Sequence, residues 1–198
     1  SLPAFTYMAN INFTNTLHDT LFPDFIHSVQ CTEESYAGDC FKLRELDPEG
    51  KEISLRNGWH SKWFKNDCGV ERLNELMGGC HSYAKAFIED EFHIDKLYRE
   101  EWWVNIGGIH SYNNIHVHGR ATMIGIFFVK VPEGSGDLVL QRNDGAPYSS
   151  IYNYIDNGNQ FRITPKENRF FLLPGHLWHW VDYNQGDQER ISISVNYY

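Results

Sequence analysis

Three histidines are spaced to act together. His116 and His118 flank Val117 just ahead of the longest apolar run of the chain, Met123 to Val129. On an extended backbone, residues i and i+2 point to the same face, so the two imidazoles converge on one point. A third histidine, His179, lies in another aromatic strand-like segment, Leu177-Trp178-His179-Trp180-Val181. Imidazole is the commonest metal-binding side chain and suits iron, zinc, copper or nickel. Eleven residues after His179, Arg190-Ile191-Ser192 again sets two side chains on one face, a guanidinium and a hydroxyl. An arginine facing inward must be paired, because an isolated buried charge is prohibitively costly. With no protein carboxylate nearby, a ligand carboxylate is the natural partner, held by the arginine fork with the Ser192 hydroxyl adding a bond. Plainer readings stand beside these. An H-x-H pair can be an ordinary polar surface or core feature, His179 can be structural, and Arg190 can be exposed on an edge strand. His18, His27, His60, His81, His93, His110 and His176 carry only the structural reading.

The elements that must hold these residues change character near residue 100. Before it, Ala4–Ile26 reads as an irregular or strand-bearing lead-in, and Phe41–Asn57, with its charges, Pro48 and Gly50, as a hairpin or surface loop. From Glu71 to Asp90 the apolar positions Leu73, Leu76, Met77, Cys80, Tyr83, Ala84, Phe87 and Ile88 describe one buried face of a helix. Gly78–Gly79 weakens it by roughly 1 kcal/mol per glycine, which suggests a close packing contact or a break. Beyond residue 100 come six short segments rich in β-branched and aromatic residues: Trp102–Ile109, Thr122–Val131, Asp137–Gln141, Asn168–Leu173, Leu177–Tyr183 and Arg190–Asn196. Turn chemistry at Pro132–Gly136, Pro174-Gly175 and Asn184–Asp187 separates them. That density of strands indicates a sandwich, jelly roll or small barrel. Arg142–Gln160, with Tyr148, Tyr152 and Tyr154, reads as a long loop, either a lid or a surface excursion.

Composition narrows the function. The 198 residues include 17 Lys plus Arg against 26 Asp plus Glu, a formal charge of −9. A chain of this length buries roughly 70% of its surface on folding, so neither disulfide nor metal is needed for a core. The 13 Phe, 11 Tyr and 6 Trp exclude a disordered chain. No apolar run approaches the roughly 20 residues that span a bilayer. An acidic chain without a Lys/Arg cluster is a poor nucleic-acid binder. No secretory leader is visible. Cys31, Cys40, Cys68 and Cys80 form no C-x-x-C pair, and free thiols in a reducing cytoplasm are expected.

The order H-x-H, then a distal histidine, then R-x-S about ten residues later resembles the Fe(II)/2-oxoglutarate-dependent dioxygenases, and in particular a bacterial and phage branch of that superfamily. The supporting segments are Asn57–Ser61, Trp103-Val104-Asn105, Asn113–His118, Gly125–Pro132, Leu173–His179 and Arg190–Asn196, spread over residues 57–198. The resemblance implies a mainly β fold with N-terminal helices (α+β), a double-stranded β-helix or cupin-like jelly-roll barrel. It implies one oxygenase domain over residues 1–198, with 1–100 as helix-containing support and 101–198 as the core jelly roll. Iron would be held by His116, His118 and His179. The 5-carboxylate of 2-oxoglutarate would reach Arg190 and Ser192, and Asn113, Ile124, Ile126, Phe128 and Trp178 would line the pocket. The activity implied is hydroxylation of a small metabolite, amino acid or peptide with O2, releasing succinate and CO2. The chain departs from the wider superfamily at His118, where Asp or Glu would complete a two-His-one-carboxylate triad. A third neutral ligand leaves Fe(II) with one more unit of positive charge.

Two other classes stay open at this level. A cupin-type metalloenzyme independent of 2-oxoglutarate shares the H-x-H opening, but no acidic residue occurs between His118 and Glu133 to supply the usual fourth ligand. A non-enzymatic jelly-roll binding module would use exposed Trp59, Trp178 or the tyrosines of Arg142–Gln160, and its three histidines would not converge. The expected partners are a small-molecule or peptide substrate and O2, with no nucleic acid and no membrane, and a homodimer allowed.

Overall fold

The computed structural model describes residues 24–31, 34–141 and 160–198. Most of the Ala4–Ile26 lead-in, His18, and all of the Arg142–Gln160 loop with its lid reading except Gln160 lie outside the described residues. In chain order the elements are β1 (His27–Gln30), α1 (Ala37–Leu46), β2 (Leu55–His60), α2 (Glu71–Phe92), β3 (Arg99–His116), β4 (Met123–Lys130), β5 (Leu138–Gln141), β6 (Gln160–Ile163), β7 (Arg169–Pro174), β8 (Trp178–Val181) and β9 (Arg190–Tyr197).

One long strand organises the sheet. The first part of β3, Arg99–Gly107, runs antiparallel to β9, whereas its far end pairs with β8, with Asn113 opposite Val181 and His116 opposite His179. β2 pairs along its other edge. The order β1-β7-β4-β9-β3-β8-β5-β6 therefore curls into two facing halves that share β3, the jelly-roll architecture expected. Gly107, inside the bend, has no room for a side chain, since a Cβ there would overlap the Ser111 side chain.

The two faces of the larger half carry different cores. Trp102, Val104 and Ile106 of β3, Phe127 and Val129 of β4, Phe170 and Leu172 of β7, and Ile191, Ile193, Val195 and Tyr197 of β9 pack on one side. Against them lie Leu73, Met77, Cys80, Ala84 and Ile88 of α2, and Cys40 and Leu43 of α1. The opposite face holds Ile124, Ile126, Phe128, Phe171, Leu173, Leu138, Leu140 and Val181 in the barrel interior. Burial of each large side chain in these cores is worth about 1.5–3 kcal/mol.

Several expectations need correction. The stretch read as a hairpin or loop over Phe41–Asn57 contains most of α1 and the start of β2. Its charges mark an exposed helical face, with only Cys40 and Leu43 of α1 buried. α2 runs unbroken through Gly78–Gly79, and none of the described residues lies within 4 Å of where either Cβ would stand, so among them there is neither a break nor a tight contact. β1, β2 and β6 bring the described strands to nine, and β3 extends seven residues past the expected Ile109. All four cysteines are free thiols. No described helix is long and apolar enough to cross a membrane.

Candidate metal centre and cosubstrate recess

His116 and His179 face each other across the β3–β8 pairing, and His118 follows two residues beyond His116. The loop carrying His118 is held by its backbone N–H donating to the Gly175 carbonyl at 2.8 Å. That approach needs glycine, because a Cβ on residue 175 would run into the Ala121 carbonyl. The ring centroids lie 4.4 Å (116–179), 5.0 Å (116–118) and 5.2 Å (118–179) apart. Ring nitrogens from all three come within 4.8 Å of one another, and among the described residues no other His, Cys, Asp or Glu joins the group.

The tautomers follow from the partners. Nδ1 of His116 contacts the Asn114 carbonyl at 2.6 Å, and Nδ1 of His179 the Leu177 carbonyl at 2.9 Å. Nδ1 of His118 contacts the Asn196 Oδ1 at 2.6 Å. A carbonyl oxygen only accepts, so each Nδ1 carries the proton and each Nε2 keeps its lone pair. Burial, with the neighbouring imidazoles adding to it, lowers His118 to about 4 and His179 to about 3, and burial lowers His116 too. Three neutral imidazoles with oriented lone pairs form a ready donor set for a divalent transition metal.

The histidines sit between two spaces. One is a groove of about 520 Å³ whose walls include Trp63, Trp103, Glu101, Arg120 and Tyr198 together with His116 and His118. The other is a narrow recess of about 30 Å³, bounded by all three histidines with Trp103, Asn105, Asn113, Ile124, Ile126, Ser192 and Ser194. Asn113, Ile124, Ile126 and Ser192 are thus brought to the histidines. Phe128 is not, since it lies farther along β4, packed edge-on to Phe171 in the interior core. Trp178 does not line either space, because it precedes His179 on a strand whose side chains alternate faces.

Arg190 lies beyond Ser192 along the same face of β9, 4% exposed. Its Nη1 donates to the backbone carbonyls of Ser135 and Asp182. The Asp182 carboxylate itself is taken by Arg162 at 2.6 Å and by Trp180 Nε1 at 2.9 Å. Among the described residues no carboxylate pairs with Arg190, and its Nη2 is buried without a partner. Burial lowers its pKa to about 10, which leaves it charged at neutral pH. A buried, half-satisfied guanidinium fits the carboxylate of a ligand.

The polar face of β9 extends beyond Arg190 and Ser192. Arg190, Ser192, Ser194 and Asn196 form a polar row alternating with Ile191, Ile193 and Val195, a two-residue period visible in the sequence itself. Asn105, opposite Ser192 on β3 and 5% exposed, adds an amide whose Oδ1 has no partner among the described residues. His60, read as structural, lines the groove and stacks with Trp103 at 5.7 Å, and Trp103 in turn stacks with His118 at 5.8 Å. That stack joins residues 43 and 58 positions apart, and no local pattern announces it.

A mainly β jelly roll with a cluster of imidazoles in its mouth defines a class of metal-dependent proteins. Residues 101–196 match the family described as "Putative 2OG-Fe(II) oxygenase", and this stretch contains every residue of the cluster and the polar row. That match, over residues 101–196, supports the 2OG-Fe(II) oxygenase superfamily, which implies Fe(II) and 2-oxoglutarate as cofactor and cosubstrate, and the three histidines are a group that could hold the iron. Solved structures of similar fold include a Pseudomonas putida prolyl-4-hydroxylase, at 13% identity over 81% of this chain and 82% of that one, TM-score 0.58. Another is a prolyl hydroxylase from Trichoplax adhaerens in complex with a hypoxia inducible factor peptide fragment, at 13% identity over 87% and 83%, TM-score 0.62. A third is a viral collagen prolyl hydroxylase from Paramecium Bursaria Chlorella virus-1 with 2OG, at 16% identity over 87% and 94%, TM-score 0.54. No curated protein matches the chain by sequence.

Proposed function

We propose that this chain is an Fe(II)- and 2-oxoglutarate-dependent dioxygenase that hydroxylates a small metabolite, an amino acid or a peptide, acting as one domain over residues 1–198 in a reducing cytoplasm. The observation that carries the proposal is the convergence of three imidazoles whose Nδ1 protons are all engaged by acceptors, leaving three Nε2 lone pairs for one cation. His116, His118 and His179 hold the metal. Ser192 and the free edge of the Arg190 guanidinium receive the distal carboxylate of the cosubstrate, with Asn105 beside it. When bound, the pair supplies oxidative decarboxylation coupled to hydroxylation, giving succinate and CO2. Ile124 and Ile126 keep water from the recess, while the groove along Trp63, Trp103 and Tyr198 receives the substrate. The size of that groove, and the peptide carried by the Trichoplax enzyme, support a substrate up to peptide size.

The test is an anaerobic titration of the Fe(II)-loaded protein with 2-oxoglutarate, followed by its visible charge-transfer absorption. A saturable band is the expected result. Iron binding without a band would favour a cupin-type metalloenzyme that does not use 2-oxoglutarate. Absence of iron binding would leave a jelly-roll binding module.

A further inference from the structure

We infer that Glu101 and Asn196 form a relay that fixes the tautomer and orientation of His118 and lends the three-histidine centre the negative charge its ligand set lacks. The inference rests on the metal-site reading above. Its starting point is an asymmetry among the three histidines. His116 and His179 donate to backbone carbonyls, which cannot turn round. His118 alone depends on a side chain, the amide of Asn196. An amide can rotate by half a turn and offer its NH2 in place of its oxygen, which would force His118 into the opposite tautomer.

Glu101 removes that freedom. It stands directly across from Asn196 in the β3–β9 register, and its Oε1 accepts from Asn196 Nδ2 at 3.3 Å. Nδ2 also reaches the Tyr198 hydroxyl at 3.4 Å. A carboxylate only accepts, so the NH2 edge must face Glu101 and Oδ1 must face His118. His118 then carries its proton on Nδ1 and presents Nε2 to the cluster. Asn196 and Glu101 touch no reacting atom in this scheme and are positioning residues.

The same chain of bonds addresses charge. Three neutral imidazoles leave a divalent ion without the anionic ligand that a two-His-one-carboxylate site supplies. A carboxylate two hydrogen bonds away polarises the amide, and the amide polarises the imidazole, which raises the basicity of Nε2.

The test uses the full chain in wild-type, Glu101→Gln, Asn196→Leu, Asn196→Asp and Glu101→Gln/Asn196→Asp forms, with Co(II) as probe and ¹⁵N-histidine NMR on the metal-free protein. The expected result is a His118 Nδ1–H tautomer in the wild type and a tautomer mixture in Asn196→Leu. Co(II) affinity should fall about 10–100-fold in Asn196→Leu, the range for outer-shell partners, and by roughly tenfold in Glu101→Gln. Asn196→Asp puts a carboxylate directly against His118 and should restore affinity in the Glu101→Gln background, a rescue that loss of packing alone would not produce. Wild-type affinity and tautomer in Glu101→Gln would overturn the relay, and so would an Nε2–H tautomer of His118 in the wild type. Failure of the wild type to bind Co(II) would overturn the metal-site reading instead, with the tautomer still deciding the relay. If Asn196→Leu does not fold, Glu101→Gln and the double variant carry the test.

Discussion

Arg190→Ala separates the cosubstrate assignment from a purely architectural role. The guanidinium is 4% exposed, its Nη1 serves two backbone carbonyls, and its Nη2 has no partner among the described residues. Two effects are therefore expected. Removing the donor leaves the buried Ser135 carbonyl unsatisfied at a cost of about 1–3 kcal/mol, with less lost at the part-buried Asp182 carbonyl, read as a fall in urea midpoint. Removing one side of a desolvated charge pair costs roughly 2–5 kcal/mol in ligand binding. At 1.4 kcal/mol per decade that is about a 30-fold to several-thousand-fold rise in the Kd for 2-oxoglutarate. The assay is an anaerobic titration of the folded, Fe(II)-loaded variant, with the iron content measured first. Arg190→Lys keeps the charge but loses the planar fork, so it should fall between wild type and alanine. A folded, iron-replete Arg190→Ala variant with a Kd within about threefold of wild type, well inside the weakest expected effect, would refute the reasoning. Arg190 would then be a strut between Ser135 and Asp182 alone.

Other perturbations probe the remaining parts. His116→Ala and His179→Ala should each abolish stoichiometric Fe(II) binding, measured by metal analysis after desalting, whereas His118→Asp should retain it by supplying an oxygen ligand at the same place. The metal-free protein should lose stability on acidification. His118 and His179 are held neutral to about 4 and about 3, so below about pH 6.5 the unfolded chain takes protons that the folded one refuses. The stability is fully present above that pH and falls by about 2–3 kcal/mol between pH 7.5 and 5.5; equal urea midpoints at the two values would refute it. Gly78→Ala and Gly79→Ala meet open space on a continuous helix and should each stabilise by about 0.5–1 kcal/mol, visible as a rise in Tm.

What could be read from the sequence was whatever repeats locally. The helix face from Leu73 to Ile88 announces itself by period, the strands around Phe127, Phe171 and Ile193 by their β-branched and aromatic content between turns, and His116 with His118 by their i, i+2 spacing. α1 was missed because few of its positions are buried, so no apolar stripe marks it. Glu101, Asn105 and His60 acquire their meaning only from register across strands, Glu101 opposite Asn196, Asn105 opposite Ser192, and His60 opposite Asn105. Pairings of that kind are set by tertiary context, and the nearest sequence clue to them is the polar row of β9.

The two-sidedness of β9 bears on how such a protein can diversify. Ile191, Ile193, Val195 and Tyr197 hold the helices in place, while Ser192 and Ser194, the residues between them, look only into the recess. A substitution at 192 or 194 changes the dimensions and polarity of the chamber without opening a void beneath α2. Stability and selectivity are thus inherited through separate positions of one eight-residue strand, and the chemistry of the chamber can drift between lineages while the scaffold that supports it is left alone.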